Sequence, residues 1–285
     1  MPPTLLPPTL IGALLGLAAA AAWGASDFSG GYASKHNNAI IVLGFGASAG
    51  TAVFLVLALL RGEALIPWQG VLWALASGVM GGLGLIFLYR GLAAGNAALV
   101  SPTAGVIGAA VPVVVGAFLE GMPSLNQLAG FILGLGGIWL ASRSAQSNPG
   151  EARKGLGLAV LAGLGFGGFF VFLAQVGSDQ FFTPLVLSKG VQIIMAAVVI
   201  ISSRIRLATR QGIPVAVLGG VLDAGANAFY LAAANLTRMD IAAVLSSMYP
   251  AGTVLLARLV NKEEVSPAQW LGVLLCLAAV ALIAI

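Results

Sequence analysis

Ten stretches of this chain run almost without charged side chains: residues 10–32, 39–60, 69–90, 97–118, 126–142, 155–176, 184–202, 213–234, 241–259 and 268–285. Nearly all approach the ~20 apolar residues that a helix needs to cross a bilayer. They lack the period-two alternation that marks barrel strands. The gaps between them are short, and they collect charged, amide and turn-forming residues. Backbone groups in lipid must be satisfied internally, which leaves helices as the solution for continuous apolar runs. The pattern therefore predicts ten membrane-spanning helices, the fifth being the shortest.

The polar punctuation repeats. Gly12 and Trp23–Gly24 recur as Gly155 and Phe166–Gly167, Arg61 as Arg204, and Glu120 as Glu263, always with a shift of 143 positions. Five spans in each copy is an odd number, so the second copy must enter the membrane inverted. Residues 1–142 form the first repeat, 143–154 a polar linker, and 155–285 the second repeat. The expected fold is an all-α integral membrane protein, its ten transmembrane helices arranged as two inverted five-helix repeats around a central cavity. Secondary transporters are commonly built this way, with the site between the repeats at mid-membrane and the halves rocking about it.

Composition sharpens this picture. Hydrophobic residues make up 59% of the chain and charged residues 8%, against roughly a quarter charged in soluble domains. Little is left to form a soluble domain, so the net charge of +4 points to membrane sidedness and not to nucleic acid. Alternating the loops puts Lys35, Arg90, Arg143, Arg153, Lys154, Arg204, Arg206, Arg210, Arg258 and Lys262 on one side, and Arg61 and Arg238 on the other. Basic loops mark the cytoplasm, so both termini are expected to be periplasmic in a bacterial inner membrane. The residues before the first span lack the basic region of a cleaved signal peptide.

One cysteine and one histidine supply neither a disulfide framework nor a His/Cys metal cluster, so no metal or cofactor is expected. The sequence has no phosphate-binding Gly-Lys-Ser/Thr loop, which excludes an ATP-driven pump in this chain alone. A membrane enzyme would need a reactive polar cluster, and a channel would favour rings of like residues in an oligomer. The partners expected are a small-molecule substrate and the lipid bilayer, with the protein working as a monomer. Glycines inside the spans, such as Gly78, Gly81, Gly82 and Gly84 or Gly163, Gly165, Gly167 and Gly168, suit close helix packing.

Candidate chemistry lies in the few polar groups at membrane depth. Asp223 falls mid-span, with Asn227 and Tyr230 on the same helical face. A carboxylate there needs a partner or water; it either knots helices together or lines a cavity. Lys189, with Gln192 at i+3, either snorkels to the surface or pairs with Asp223 or a substrate carboxylate. Asp27 shares a face with Trp23 but lies nearer the helix end, which favours a solvated carboxylate. Proline removes a backbone hydrogen bond, and paired interruptions in equivalent helices of the two halves point to a transport site. Pro102 and Pro112 in the fourth span and Pro250 in the ninth are the candidate hinges, with Ser246 and Tyr249 beside Pro250. Trp23, Phe166, Tyr230 and Tyr249 could stack on a ring, while Lys189, Asp223, Asn227 and Ser246 could meet amino and carboxyl groups.

The second half ends with Pro250, Glu263 and Ala268-Gln269-Trp270-Leu271-Gly272, which is similar to the repeat signature of EamA-type proteins of the drug/metabolite transporter superfamily. Glu120, Gln127 and Gly130 form a weaker copy, with Ile107 in the slot equivalent to Pro250, and Trp23–Gly24 also fits. The resemblance covers essentially the whole chain. It implies ten helices in two inverted halves that export small organic metabolites such as amino acids, drugs being an alternative cargo. The likeness is strongest to the superfamily's aromatic amino-acid exporters.

Overall fold

The computed structural model describes the chain apart from residues 1–6, 35–36, 94–96, 120, 142–148, 178–179, 207–209, 211, 250, 253–258, 260–265 and 285. Its described residues form ten helices and no strand: α1 (Pro8–Ser34), α2 (Ala39–Leu60), α3 (Trp68–Ala93), α4 (Ala97–Leu119), α5 (Leu125–Ala141), α6 (Pro149–Ala174), α7 (Thr183–Ser202), α8 (Ile213–Leu236), α9 (Met239–Ser246) and α10 (Pro267–Ala284). Six of these are long and apolar enough to span a membrane on their described residues alone: α1, α2, α3, α6, α7 and α8.

Most boundaries fall within a few residues of the hydrophobic pattern, with two exceptions. α6 begins at Pro149, so residues 149–154 of the expected linker are helical. α9 ends at Ser246, an interruption of the ninth span beside its proline as expected, and residues 249, 251, 252 and 259 are helical again. A proline at position 250 has no N–H for the carbonyl of Ser246 and crowds it. The chain tightens accordingly: Met248 N bonds to Leu245 O at 3.2 Å and Ala251 N to Met248 O at 2.9 Å, both three-residue closures. Pro250 itself lies outside the described residues. α4, in contrast, is one continuous helix through both Pro102 and Pro112.

The helices close into a ring. Following the packed neighbours gives α1–α8–α2–α7–α3–α6–α4–α9 and back to α1, with α5 and α10 paired outside the α4/α9 side. Exchanging each helix for its equivalent in the other repeat reproduces the same ring, as a pseudo-two-fold axis requires. Most of the strong contacts join helices from opposite halves. The repeats are therefore interleaved and do not form two separate five-helix blocks.

Loop contacts establish the inversion. Asn37, at the start of α2, meets Gly212, at the start of α8, while Glu63, beyond the end of α2, meets the start of α7. α2 thus begins at the face where α7 ends and ends at the face where α7 begins, so these repeat-equivalent helices run antiparallel. The loop pairing agrees with the alternating sidedness read from the sequence. Arg238 donates to Gly121 O at 2.8 Å on the same face as Glu63.

Glycine makes the crossings possible. A methyl group built on Gly165 would lie 2.7 Å from Gly84 Cα, and one on Gly220 would run into the backbone of Gly46. α3 and α6, and likewise α2 and α8, touch backbone to backbone at these points, as the packing reading of the glycines required.

Glu63 caps α7 from another element. Its carboxylate accepts from Phe181 N at 3.0 Å, from Phe182 N at 2.8 Å and from Thr183 N at 2.8 Å, where α7 has no side-chain cap of its own. Burial pushes this carboxyl up, but the Thr183, Phe182 and Phe181 amides and the Thr183 hydroxyl together hold it below its ordinary value of 4.5. A depressed folded value means stability that is complete above 4.5 and lost as pH falls through the folded value. Melting temperatures of the wild type and Glu63→Gln should therefore differ at neutral pH and converge on acidification. A constant gap would rule out the charged cap.

Candidate functional site

A cavity of about 80 Å³ lies inside the ring, lined from α1, α3, α4, α6, α7, α8 and the turn after α9. Pockets for drug-sized ligands run ~300–1,000 Å³, so this conformation admits a small solute or several waters. α7 contributes to the wall through Lys189 and Gln192, Lys189 reaching the centre past α2. Gly50 lies beside that path: a methyl group there would sit at ordinary contact distance, 3.8 Å from Lys189 Cδ and 3.5 Å from Ala224 Cβ. Between them, α2 separates α7 from α8, which pack on it from either side.

One polar network organises the wall. Lys189 Nζ is paired with Asp223 Oδ2 and also donates to Gln192 Oε1 at 3.3 Å. Trp23 Nε1 donates to Asp223 Oδ1 at 2.8 Å, and Asn227 Nδ2 reaches the same oxygen at 3.1 Å. The Lys189 side chain is 3% exposed and that of Asp223 23% exposed, so the lysine does not snorkel. The two readings of Asp223 merge here: its carboxylate ties α1, α7 and α8 together and also borders the cavity.

Of the candidates named from the sequence, Trp23, Phe166, Lys189, Asp223, Asn227 and Tyr249 line the cavity together. Tyr230 does not. It is fully buried behind the wall, donates to Phe170 O at 2.7 Å and packs with Trp23 and Phe169. Ser246 is buried off the wall, and its neighbour Ser247 occupies that place. Pro112 is buried in α4; it cannot bond to the carbonyl of Gly108, which is a wall residue. Pro102 lies in the helical run of α4. Asp27, expected to be solvated at a helix end, is on the cavity wall. Its i+4 spacing from Trp23 was the available signal.

The wall is chemically lopsided. Trp23 and Asp27 on α1 correspond across the repeat to Phe166 and Phe170 on α6, and Lys189 to Gly46. Asp223 and Asn227 correspond likewise to Met80 and Gly84. The charged groups on the wall come from α1, α7 and α8, and the facing surface is built from Leu85, Leu88, Ala104, Phe166 and Phe169. Such a cavity suits a molecule with one apolar end and one charged end.

Residues 10–143 and 153–285 each match the model of the EamA-like transporter family. The fold also superposes on a solved crystal structure of another protein with a TM-score of 0.77, over 95% of each chain at 18% identity, which is a likeness of fold alone. No curated protein sequence matches the chain.

Proposed function

The chain belongs to the EamA-like transporter family, and we propose that it exports aromatic or hydrophobic amino acids by alternating access. As a multi-pass membrane protein of the drug/metabolite transporter type, it carries small molecules. The observation that carries the finer reading is the lopsided cavity: an aromatic surface on α6 faces a lysine and carboxylates on α1, α7 and α8. An amino acid would lay its side chain on Phe166 and present its charged groups to the opposite wall. The cavity is complete within one chain, which supports a working monomer. Because the halves interleave, access would alternate by opening the ring first at one face and then at the other, with the tightened turn after α9 and the proline-bearing α4 as hinges.

Transport of L-phenylalanine by purified protein in proteoliposomes tests the substrate class. Phe166→Ala should raise KM by about 2–10-fold, the equivalent of losing an aromatic contact of ~0.5–1.5 kcal/mol, while the protein stays folded. An unchanged KM would take Phe166 out of the site. Orientation is proposed from the basic loops, with the protein in a bacterial inner membrane. A phosphatase fused after Ile285 should be active and a fluorescent protein dark; the reverse outcome would place the termini in the cytoplasm.

A further inference from the structure

The polar groups around the cavity are not all satisfied. Both oxygens of Asp223 are engaged, Oδ2 by Lys189 and Oδ1 by Trp23 and Asn227. The cavity's lysine is thereby neutralised from within. Asp27, one turn from Trp23 on the same face of α1, borders the same space. Among the described residues, no hydrogen bond or ion pair reaches its carboxylate. Ser247 also lines the cavity; the residue is 1% exposed, and its Oγ has no hydrogen-bond partner among the described residues.

A carboxyl group and a buried hydroxyl thus remain without partners on a cavity whose apolar lining is Phe166, Phe169, Leu85 and Leu88. A carboxylate at membrane depth demands a partner, and a cation in this low-dielectric space is held far more strongly than in water. Resting on the amino-acid reading above, we infer that Asp27 determines specificity by accepting the ammonium group of a primary-amine substrate. Ser247 supplies a further hydrogen bond at the same end, and the apolar body of the substrate lies against α3, α4 and α6. The amine is then the required group, while a substrate carboxylate is tolerated through the remaining N–H of Lys189. A molecule lacking the amine leaves Asp27 unpaired, and a site built around a polar group discriminates strongly against analogues without it.

Calorimetric titration of the purified full-length protein with three phenyl probes tests this: L-phenylalanine, 2-phenylethylamine and 3-phenylpropanoate. The two amines should bind, with 3-phenylpropanoate weaker by more than about tenfold. Asp27→Asn should weaken both amines by a similar factor at a near-normal melting temperature, and Asp27→Glu should retain part of the affinity. If Asp27→Asn does not fold, the probe series on the wild type and on Asp27→Glu still decides. Equal binding of 3-phenylpropanoate, or unchanged amine affinity in folded Asp27→Asn, overturns the assignment. Binding of L-phenylalanine and 3-phenylpropanoate without 2-phenylethylamine overturns it while leaving the amino-acid reading standing. Binding of none of the three overturns both.

Discussion

Replacing Lys189 with methionine should destabilise the protein by about 3 kcal/mol, the lower end of the range for removing one member of a buried ion pair. The lower end applies because the Asp223 side chain keeps 23% exposure toward the cavity. The loss comes from a stranded carboxylate, since Trp23 and Asn227 would still donate to Asp223 Oδ1 with no cation to balance its charge. Combining Lys189→Met with Asp223→Asn should recover much of the loss, because the double variant buries no net charge and the amide still accepts from Trp23. Unfolding in detergent, followed for both single variants and the double, measures the coupling. A double variant no more stable than Lys189→Met would mean that the pair does not hold α7 to α8.

The second large effect is expected at the α2–α8 crossing. Gly220→Leu places a side chain where Gly46 backbone already lies, and neither backbone can yield without separating the helices. Overpacking of well-packed cores costs about 1–3 kcal/mol when side chains can adjust, and here there is no side chain to adjust. The variant should fail to give a monodisperse peak in size-exclusion chromatography. Gly225→Leu, one and a half turns along the same helix, is the control: a methyl group there meets nothing within 4 Å, and that variant should be well behaved. Equal behaviour of the two would show that bulk anywhere on α8, and not the crossing, decides folding.

The helices and their inversion were legible because lipid imposes a strong, local pattern on sequence. Twenty apolar residues followed by a charged turn carry one meaning wherever they occur. The Asp223–Lys189 pairing was legible as one of three options, since a buried carboxylate calls for a cation and the chain places few at that depth. The interleaved ring was not legible. Which helix from the other half lies beside α3 depends on contacts such as Gly165 on Gly84, and periodicity within a span carries no record of them. Tyr230 was misplaced for a related reason: helical spacing put it on the face of Asp223, but the second turn along faces the Phe170 backbone. The place of Asp27 on the cavity wall was not legible from depth alone, because it depends on Trp23, one turn earlier, being bonded to Asp223 across the helices. The end of α9 at Ser246 was legible in the sequence as an interruption of the ninth span by the proline at position 250.

The family makes the chain a small-molecule transporter, and the proposed mechanism requires a site that is reached from one face at a time. Counterflow measures that property directly. Proteoliposomes preloaded with excess unlabelled L-phenylalanine and diluted into trace labelled L-phenylalanine should accumulate label transiently above equilibrium, because each outward trip of unlabelled substrate returns the site for labelled substrate. Simple equilibration without an overshoot, as through an open pore, or no movement of label at all, would contradict the account.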